Sequence, residues 1–259
     1  MNISFIKEKC LLFLSRSFPK RYMDQPPLIS VIIATYNRGE ILCNRTIPSI
    51  LSQSYPYFEI IVIGDCVIDN TVELISKIDD ERVIFKNLSK RTKYPTDPID
   101  RWMVAGATPR NIGLQLAKGN WIYTISDDDI LLPDCFEKMI NYCNANPDVE
   151  SVSANFVSYV EGEETIFRAS DIEKRLGFFM TGIPSWMYKS NLKFFRWNGE
   201  SWRKKWNRPS DYDLQHRMKN AGVKMGYLDE VVSISPLVTG TKLTGSKAAL
   251  FLYESGKYN

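Results

Sequence analysis

Apolar residues along this chain fall alternately into short unbroken runs and into helical stripes. Residues 28–34 (LISVIIA) are almost continuously apolar and β-branched, as in a parallel-sheet strand covered on both faces. Apolar positions 41, 42, 47, 50 and 51 then recur with helical spacing across residues 40–53. The alternation continues with strands at 58–63, 82–85 and 121–125 and helices near 71–78, 109–117 and 133–144. It is interrupted at 86–104 by a polar, proline-bearing loop whose length calls for a functional reason. Strand and helix in repeated succession predict an open, mostly parallel α/β sheet.

The rhythm changes after residue 148. Strands are expected at 149–154, 156–160 and 164–168, a helix at 211–221 stopped by Gly222, and a late strand at 224–234. No internal repeat or long linker divides the chain, so residues 25–240 are expected to form one domain. Its first part, about 28–130, has nucleotide-binding architecture, and about 131–240 reads as an acceptor-binding and catalytic extension. Residues 1–24 and 241–259 are left as an N-terminal segment and a C-terminal tail.

Composition narrows the chemistry. The chain has 259 residues, 44% of them apolar and 24% charged, which is ordinary for a globular protein. Its 33 basic and 30 acidic side chains give a net charge of +3, too mild to argue for a nucleic-acid partner. Five cysteines without a C-x-x-C pair, and no apolar run near the roughly 20 residues that span a bilayer, predict a reduced, cytoplasmic protein. The single histidine, His216, is expected to be structural and excludes a His-rich zinc site. Acid–base work then falls to carboxylates.

The charge is unevenly spread. Residues 1–24 carry Lys7, Lys9, Arg16, Lys20 and Arg21 against Glu8 and Asp24. On a helical wheel Ile3, Ile6, Cys10, Phe13 and Leu14 lie towards one side, and Pro19 ends the pattern. Such a basic amphipathic helix suits peripheral contact of residues 1–21 with an anionic membrane face, packing on the domain or on another chain being the alternative. A second basic cluster, Arg196, Arg203, Lys204, Lys205 and Arg208, is interleaved with Trp197, Trp202 and Trp206. That interleaving suits sugar rings and phosphates as well as bases.

Three consecutive aspartates, Asp127, Asp128 and Asp129, follow the buried strand at 121–125. Like charges so placed raise one another's pKa, and a cation offsets that repulsion. Oxygen donors suit Mg²⁺ or Mn²⁺, and open α/β sheets bind ligands beyond such strand ends. Asp65 stands at the same edge, after the second strand. Arg38 and Arg110 lie near strand–helix junctions within reach of phosphates, while Asp69 reads as a helix cap. Asp211 and Asp213 open a helix, where they either complement its dipole or supply a general base. Neither a G-x-G-x-x-G nor a P-loop signature is present.

Three ordered motifs carry a resemblance. PLISVIIATYNRGEILCNRTIPSILSQSYPYFEIIVIGDCVIDNT, ATPRNIGLQLAKGNWIYTISDDDILLPD and SDYDLQHRMKNAG together resemble a family 2 glycosyltransferase, over about residues 28–222. The resemblance implies a GT-A fold: a Rossmann-like, mostly parallel sheet flanked by helices, with a smaller mixed or antiparallel extension. It implies an inverting, metal-dependent transfer from a nucleotide-diphosphate sugar, with a uridine sugar expected first, to a hydroxyl of a glycan or lipid-linked glycan in bacterial surface polysaccharide synthesis. Thr35, Asn37 and Arg38 then line the donor site, Asp65 reads the base, Arg110 stands beside the donor and Asp127 faces the ribose. Asp128, with Asp129 beside it, holds Mg²⁺ or Mn²⁺, and Asp211 is the catalytic base. Trp186, Trp197, Trp202, Trp206 and Asp213 are expected on the acceptor side, together with the 86–104 loop.

Some residues depart from the family pattern. Gly64 stands where a first carboxylate before Asp65 is usual, Ser210 replaces an acid before Asp211, and VVSISPLVTG lacks a late histidine. Two alternatives follow. A sugar-phosphate nucleotidyltransferase would need a glycine-rich loop, which residues 34–38 (ATYNR) do not provide. A catalytically weak glycan-binding protein of the same fold would tolerate the missing groups.

Overall fold

The computed structural model describes residues 3–17, 26–160, 163–203 and 207–236. The 241–259 tail, Pro19, Lys20, Arg21, Lys204, Lys205 and Trp206 lie outside them. The expected strands form as β1 (Ile29–Thr35), β2 (Phe58–Gly64), β3 (Val83–Asn87) and β4 (Trp121–Ser126). Parallel pairing orders them β3-β2-β1-β4. Beyond β4 the sheet continues through β5 (Ile130–Leu131), β6 (Ser151–Val160), β7 (Glu163–Phe167), β8 (Trp186–Lys189) and β9 (Met225–Ser235). The full order is β3-β2-β1-β4-β8-β6-β9-β5, with β7 on β6, and β8 joins the parallel half by running antiparallel to both β4 and β6. One sheet thus runs through both halves. The two strands expected at 149–154 and 156–160 are one, β6, bulged where it pairs with β9.

Alternate residues of each buried strand serve opposite layers. Val31 and Ile33 of β1, Ile60 and Val62 of β2, and Tyr123 and Ile125 of β4 pack on one face; Ile32, Ile61 and Ile122 pack on the other. Both faces are dry, so the strands read as unbroken apolar runs rather than as an alternation.

The helices, in chain order, are α1 (Ile3–Ser17), α2 (Gly39–Ile41), α3 (Ile47–Leu51), α4 (Thr71–Ser76), α5 (Pro98–Val104), α6 (Ala107–Leu116), α7 (Cys135–Ala145), α8 (Ala169–Leu176) and α9 (Ser210–Ala221). A π turn, Leu42–Thr46, joins α2 to α3 within the stretch expected as one helix. The supposed 86–104 loop ends in α5, started by Pro98 and capped by the Asp97 carboxylate on the N–H groups of Ile99 and Asp100. Leu114 of α6 and Leu214 and Met218 of α9 cover the face that Ile32 belongs to, while Phe136, Met139 and Ile140 of α7 cover the other.

The helix α6 approaches β1 closely at Gly113, where a Cβ would stand 2.5 Å from Ile32 Cγ2. Gly113→Ala is expected to destabilise the protein by roughly 1–3 kcal/mol, even though alanine favours a helix by about 1 kcal/mol over glycine. Urea denaturation checks this, and an unchanged midpoint would show that the layers can separate without loss.

Candidate active site

The site follows from strand register. Thr35 of β1 pairs with Gly64 of β2, and Ala34 with Ser126 of β4, so three strands release their chains at one sheet edge. Residues 36–38, 65–67 and 127–129 therefore meet there, at the carboxyl ends where open α/β sheets bind ligands.

The three aspartates have different surroundings. Arg38 Nη1 donates to Asp127 Oδ1 at 3.1 Å and to Asp128 Oδ2 at 2.6 Å. Arg45, on the π turn, donates to the Asp128 carbonyl at 2.5 Å. Asp127 is buried next to Thr35; burial and the Asp128 charge push its pKa up, against the pull of Arg38. Asp129 is buried and turned back, its Oδ2 accepting the Ser126 N–H at 3.3 Å. Burial, reinforced by the Asp128 charge, pushes the Asp129 pKa up to about 7.

Arg110, on α6, is a second buried cation at this edge. Its Nη1 donates to Ala105 O at 2.7 Å and its guanidinium lies 5.0 Å from the Trp197 ring centre. Burial lowers its pKa from the usual range, while Asp211, Tyr94, Asp127 and Asp129 raise it. Its Nε is buried without a hydrogen-bond partner. Asp211, in the first turn of α9, is half-buried, and burial raises its pKa against the Tyr212 N–H (2.9 Å) and the Arg110 charge.

Asp65 is buried and fully engaged. Its carboxylate accepts from Thr92 N–H (2.9 Å), Thr92 Oγ1 (2.7 Å), Tyr94 Oη (2.7 Å) and Arg91. Arg91 also lies 3.4 Å from the Tyr36 ring centre. The start of the 86–104 stretch thus closes on the expected base-reading carboxylate. Asn37 adopts φ = 51°, a conformation Asn tolerates, and its Oδ1 accepts the Ile68 N–H at 2.9 Å, tying the β1 and β2 turns together. Asp69 holds Thr71 at the start of α4 and also accepts from Gly39 N–H. Gly64 has a local reason: a Cβ there would stand 2.8 Å from Asn87 Oδ1, which holds the Val67 N–H.

Asp129 and Asp211 open on the same cavity of about 480 Å³, within the range of small-molecule sites. Its walls include Trp102 of α5, Phe156 of β6, Phe167 of β7 and Tyr212 of α9. Phe156 and Phe167 stack with ring centres 5.0 Å apart.

Several acceptor-side expectations are corrected. Trp186 and Trp197 are core residues of the α6–α9 layer; Trp186 is fully buried and donates from Nε1 to Ser151 Oγ at 2.7 Å. Trp202 packs against Met103 and Val104, away from the cavity lining. Asp213 is fully buried between Arg208 Nε (3.0 Å) and Arg217 Nε (2.7 Å), which leaves it no acceptor to serve. Trp206 lies outside the described residues. The ring of His216 stacks on Tyr212 and also meets Phe178, with Arg208 Nη1 3.1 Å from its Nδ1, and burial lowers its pKa.

A divalent cation is compatible with this donor set. Asp127 and Asp128 already converge on one cationic group, and their hard oxygens suit Mg²⁺ or Mn²⁺, ions that take one or two carboxylates plus water and phosphate. Among the described residues no group of three or more His, Cys, Asp or Glu side chains forms a closed metal cage. Asp129 is turned to Ser126, whereas Asp127 and Asp128 share the Arg38 guanidinium.

Arg45, Arg91, Thr92 and Tyr94 escaped the reading of the sequence. The length of the 86–104 stretch was a signal for the last three, and the seven-residue spacing of Arg38 and Arg45, two helical turns, was one for Arg45.

A parallel sheet with an acidic carboxyl edge, continued by strands of mixed direction, is the architecture of the GT-A class of glycosyltransferases. The fold matches the Staphylococcus aureus protein TarS crystallised with UDP-GlcNAc (TM-score 0.65, 17% identity, 83% of this chain and 60% of that one). It also matches the Pyrobaculum calidifontis mannosyltransferase PcManGT solved with GDP-Man and Mn²⁺ (TM-score 0.61, 15% identity, 92% and 67%). At these identities the likeness establishes the fold. Residues 30–204 match glycosyl transferase family 2, and the chain belongs to that family. Relatives include an uncharacterized glycosyltransferase of Methanocaldococcus jannaschii, 30% identical over 222 residues (80% of this chain, 70% of that one). Another, from Haemophilus influenzae, is 37% identical over 120 residues, 46% of this chain and 44% of the relative. The Escherichia coli UDP-Glc:α-D-GlcNAc-diphosphoundecaprenol β-1,3-glucosyltransferase WfaP is 29% identical over 172 residues, 64% of this chain and 56% of that protein. The alignments with the last two thus span about half of each relative's length. The family match ends before Asp211.

The buried Asp129 gives a pH test. With its folded pKa near 7, the folded protein holds a proton that the unfolded chain releases near pH 4, so this group's contribution falls as pH rises between those values. Asp129→Asn keeps an acceptor for Ser126 and removes the titration. In the absence of divalent ions the variant is expected to gain on the parent between pH 4 and pH 7, melting roughly 2–8 °C higher relative to it at pH 8 than at pH 4. Thermal unfolding at both pH values checks this, and a pH-independent difference would exclude a buried, titrating Asp129.

Proposed function

We propose that the protein is an inverting glycosyltransferase that moves a sugar from a nucleotide-diphosphate donor, uridine-linked in the first instance, to a hydroxyl of a glycan or lipid-linked glycan of a bacterial surface polysaccharide. The observation that carries this reading is the single cavity into which Asp211 and the acidic edge at Asp129 both open. The activity named for WfaP and the UDP-GlcNAc complex of TarS support the uridine donor, and WfaP also supports the lipid-linked acceptor.

The chemistry follows from charge. Burial raises the proton affinity of Asp211, which brings a carboxylate nearer the working pH of a general base. Asp211 takes the proton of the acceptor hydroxyl as that oxygen attacks the anomeric carbon from the side opposite the diphosphate. The carbon–oxygen bond to the diphosphate breaks, and the configuration inverts. Arg38 and Arg110 are the cations beside the departing negative charge, and the unpartnered Nε of Arg110 retains a hydrogen-bond donor. Bound at Asp127 and Asp128, Mg²⁺ or Mn²⁺ would supply further neutralisation of the diphosphate. Trp102, Phe156, Phe167 and Tyr212 offer flat faces for sugar C–H surfaces. They are the acceptor wall in place of the tryptophans first expected.

Asp211→Asn removes the base while keeping its size. Transfer should fall by roughly 10²–10⁴-fold, with nucleotide-sugar binding by calorimetry within a few-fold of the parent. The parent's acid limb in kcat/KM should lie above the ordinary carboxylate range, because the folded pKa of Asp211 is raised, and should vanish from the variant's residual rate. Unchanged transfer would exclude Asp211 as base. Titrating UDP-, GDP- and dTDP-sugars in parallel identifies the donor, and a preference for GDP would overturn the uridine assignment.

A further inference from the structure

The helix α1 has its polarity reversed. A helix packed on a domain ordinarily buries its apolar stripe and shows its charges to water. Here the inward face carries Glu8 and Leu12, both buried, with half-buried Ser15 beside them and Arg16 reaching back to the domain. Glu8 pairs with Arg217 of α9, Arg16 Nη2 meets Glu150 at 2.5 Å and the Gly222 carbonyl at 2.8 Å, and Asn191 reaches Ser15 at 3.4 Å. Ile6, Phe13 and Leu14 point outward, 45%, 72% and 51% exposed, and Cys10 lies exposed between them. At 100° per residue these four share one stripe, with the exposed Lys7 and Lys9 on its two flanks.

We propose that this stripe is the docking surface of the protein on an anionic lipid bilayer. The apolar side chains enter the boundary between headgroups and acyl chains, and the flanking lysines lie along the headgroups. Charge selects this occupant over a second copy of the chain. Joining two copies through the stripe brings the same lysines together, in a segment whose residues 1–24 carry five basic and two acidic side chains, whereas an anionic surface complements them. No helix among the described residues is long and apolar enough to cross a membrane, so the contact is peripheral. The inward ion pairs keep α1 on α9: Arg217, which holds Glu8, also holds Asp213, two residues after Asp211. Docking thereby sets the orientation of the helix that carries Asp211 relative to the bilayer.

The proposal goes beyond the glycosyl-transfer reading, and its test requires no donor sugar. The full chain is floated with vesicles of phosphatidylcholine alone or with 30% phosphatidylglycerol, at low and at high salt. Partition onto the anionic vesicles is expected, at least ten-fold above the neutral ones and weakened by salt. An Ile6→Asp, Phe13→Asp, Leu14→Asp variant should lose binding at least ten-fold while its thermal melting stays within a few degrees of the parent, and a Lys7→Glu, Lys9→Glu variant should lose the anionic preference. Absence of flotation, equal binding by the triple variant, or sedimentation as a dimer that the triple variant abolishes would each overturn the proposal. These readouts are separate from the transfer and nucleotide-sugar binding that test the enzymatic assignment.

Discussion

Several carboxylates crowded at one largely buried sheet edge are the constraint on which this architecture turns. Asp127, Asp128 and Asp129 leave β4 within three residues, and Asp211 enters their electrostatic neighbourhood from α9. Unopposed, so much negative charge would be expelled from a buried edge or neutralised by protonation. Two arginines arrive from separate elements to hold it: Arg38 from the turn after β1, on Asp127 and Asp128, and Arg110 from α6, within the fields of Asp211, Asp127 and Asp129. Asp129, turned away from Arg38, instead tends towards its neutral form. The edge thus combines two arginines with an uneven set of carboxylates, of which Asp127 and Asp128 share one guanidinium and Asp129 stands apart.

The parallel half was legible because its strands are dry on both faces and its helices are local. The meeting of Thr35, Asp65 and Asp127 follows from parallel strands that release their chains at one edge, while the order β3-β2-β1-β4 is visible only in the pairing. The second half was less legible because tertiary pairing creates it. Trp186–Lys189 has four residues and no alternation, and becomes β8 only because β4 and β6 flank it. Pro98 read as a breaker within a loop, yet at the start of α5 its missing N–H and fixed φ are favourable. The partners of Asp65 were hidden for a similar reason: Arg91, Thr92 and Tyr94 stand about 26–29 residues further on, and no local period points from one to the other.

Aromatic residues show how composition misleads about position. The Trp and basic clustering at 196–208 suggested a sugar-facing surface, but Trp197 lies under Arg110 in the core and Trp202 covers Met103 and Val104. Their work is to support the arginine and α5, whose own Trp102 reaches the cavity. Asn111 adds to this support, with both ends of its amide on the Trp197 backbone at 2.9 Å. The aromatic faces that line the cavity come from separate elements and share no sequence motif.

Asp211 and Asp213 show how environment divides two similar residues. Both are aspartates in the first turn of α9, and their spacing assigned neither a role. Asp213 lies between Arg208 and Arg217, each oxygen matched by a guanidinium, and the second of these arginines joins α9 to Glu8 of α1. A carboxylate so paired is fixed in place, and displacing either partner leaves a buried polar group unmatched. Asp211 meets only a backbone N–H and the field of Arg110, at the wall of a cavity. It therefore retains proton affinity and a free acceptor direction, the two properties a general base requires. The arginine pair on Asp213 holds the helix, and the lack of such a pair on Asp211 is what suits it to the base role proposed for it.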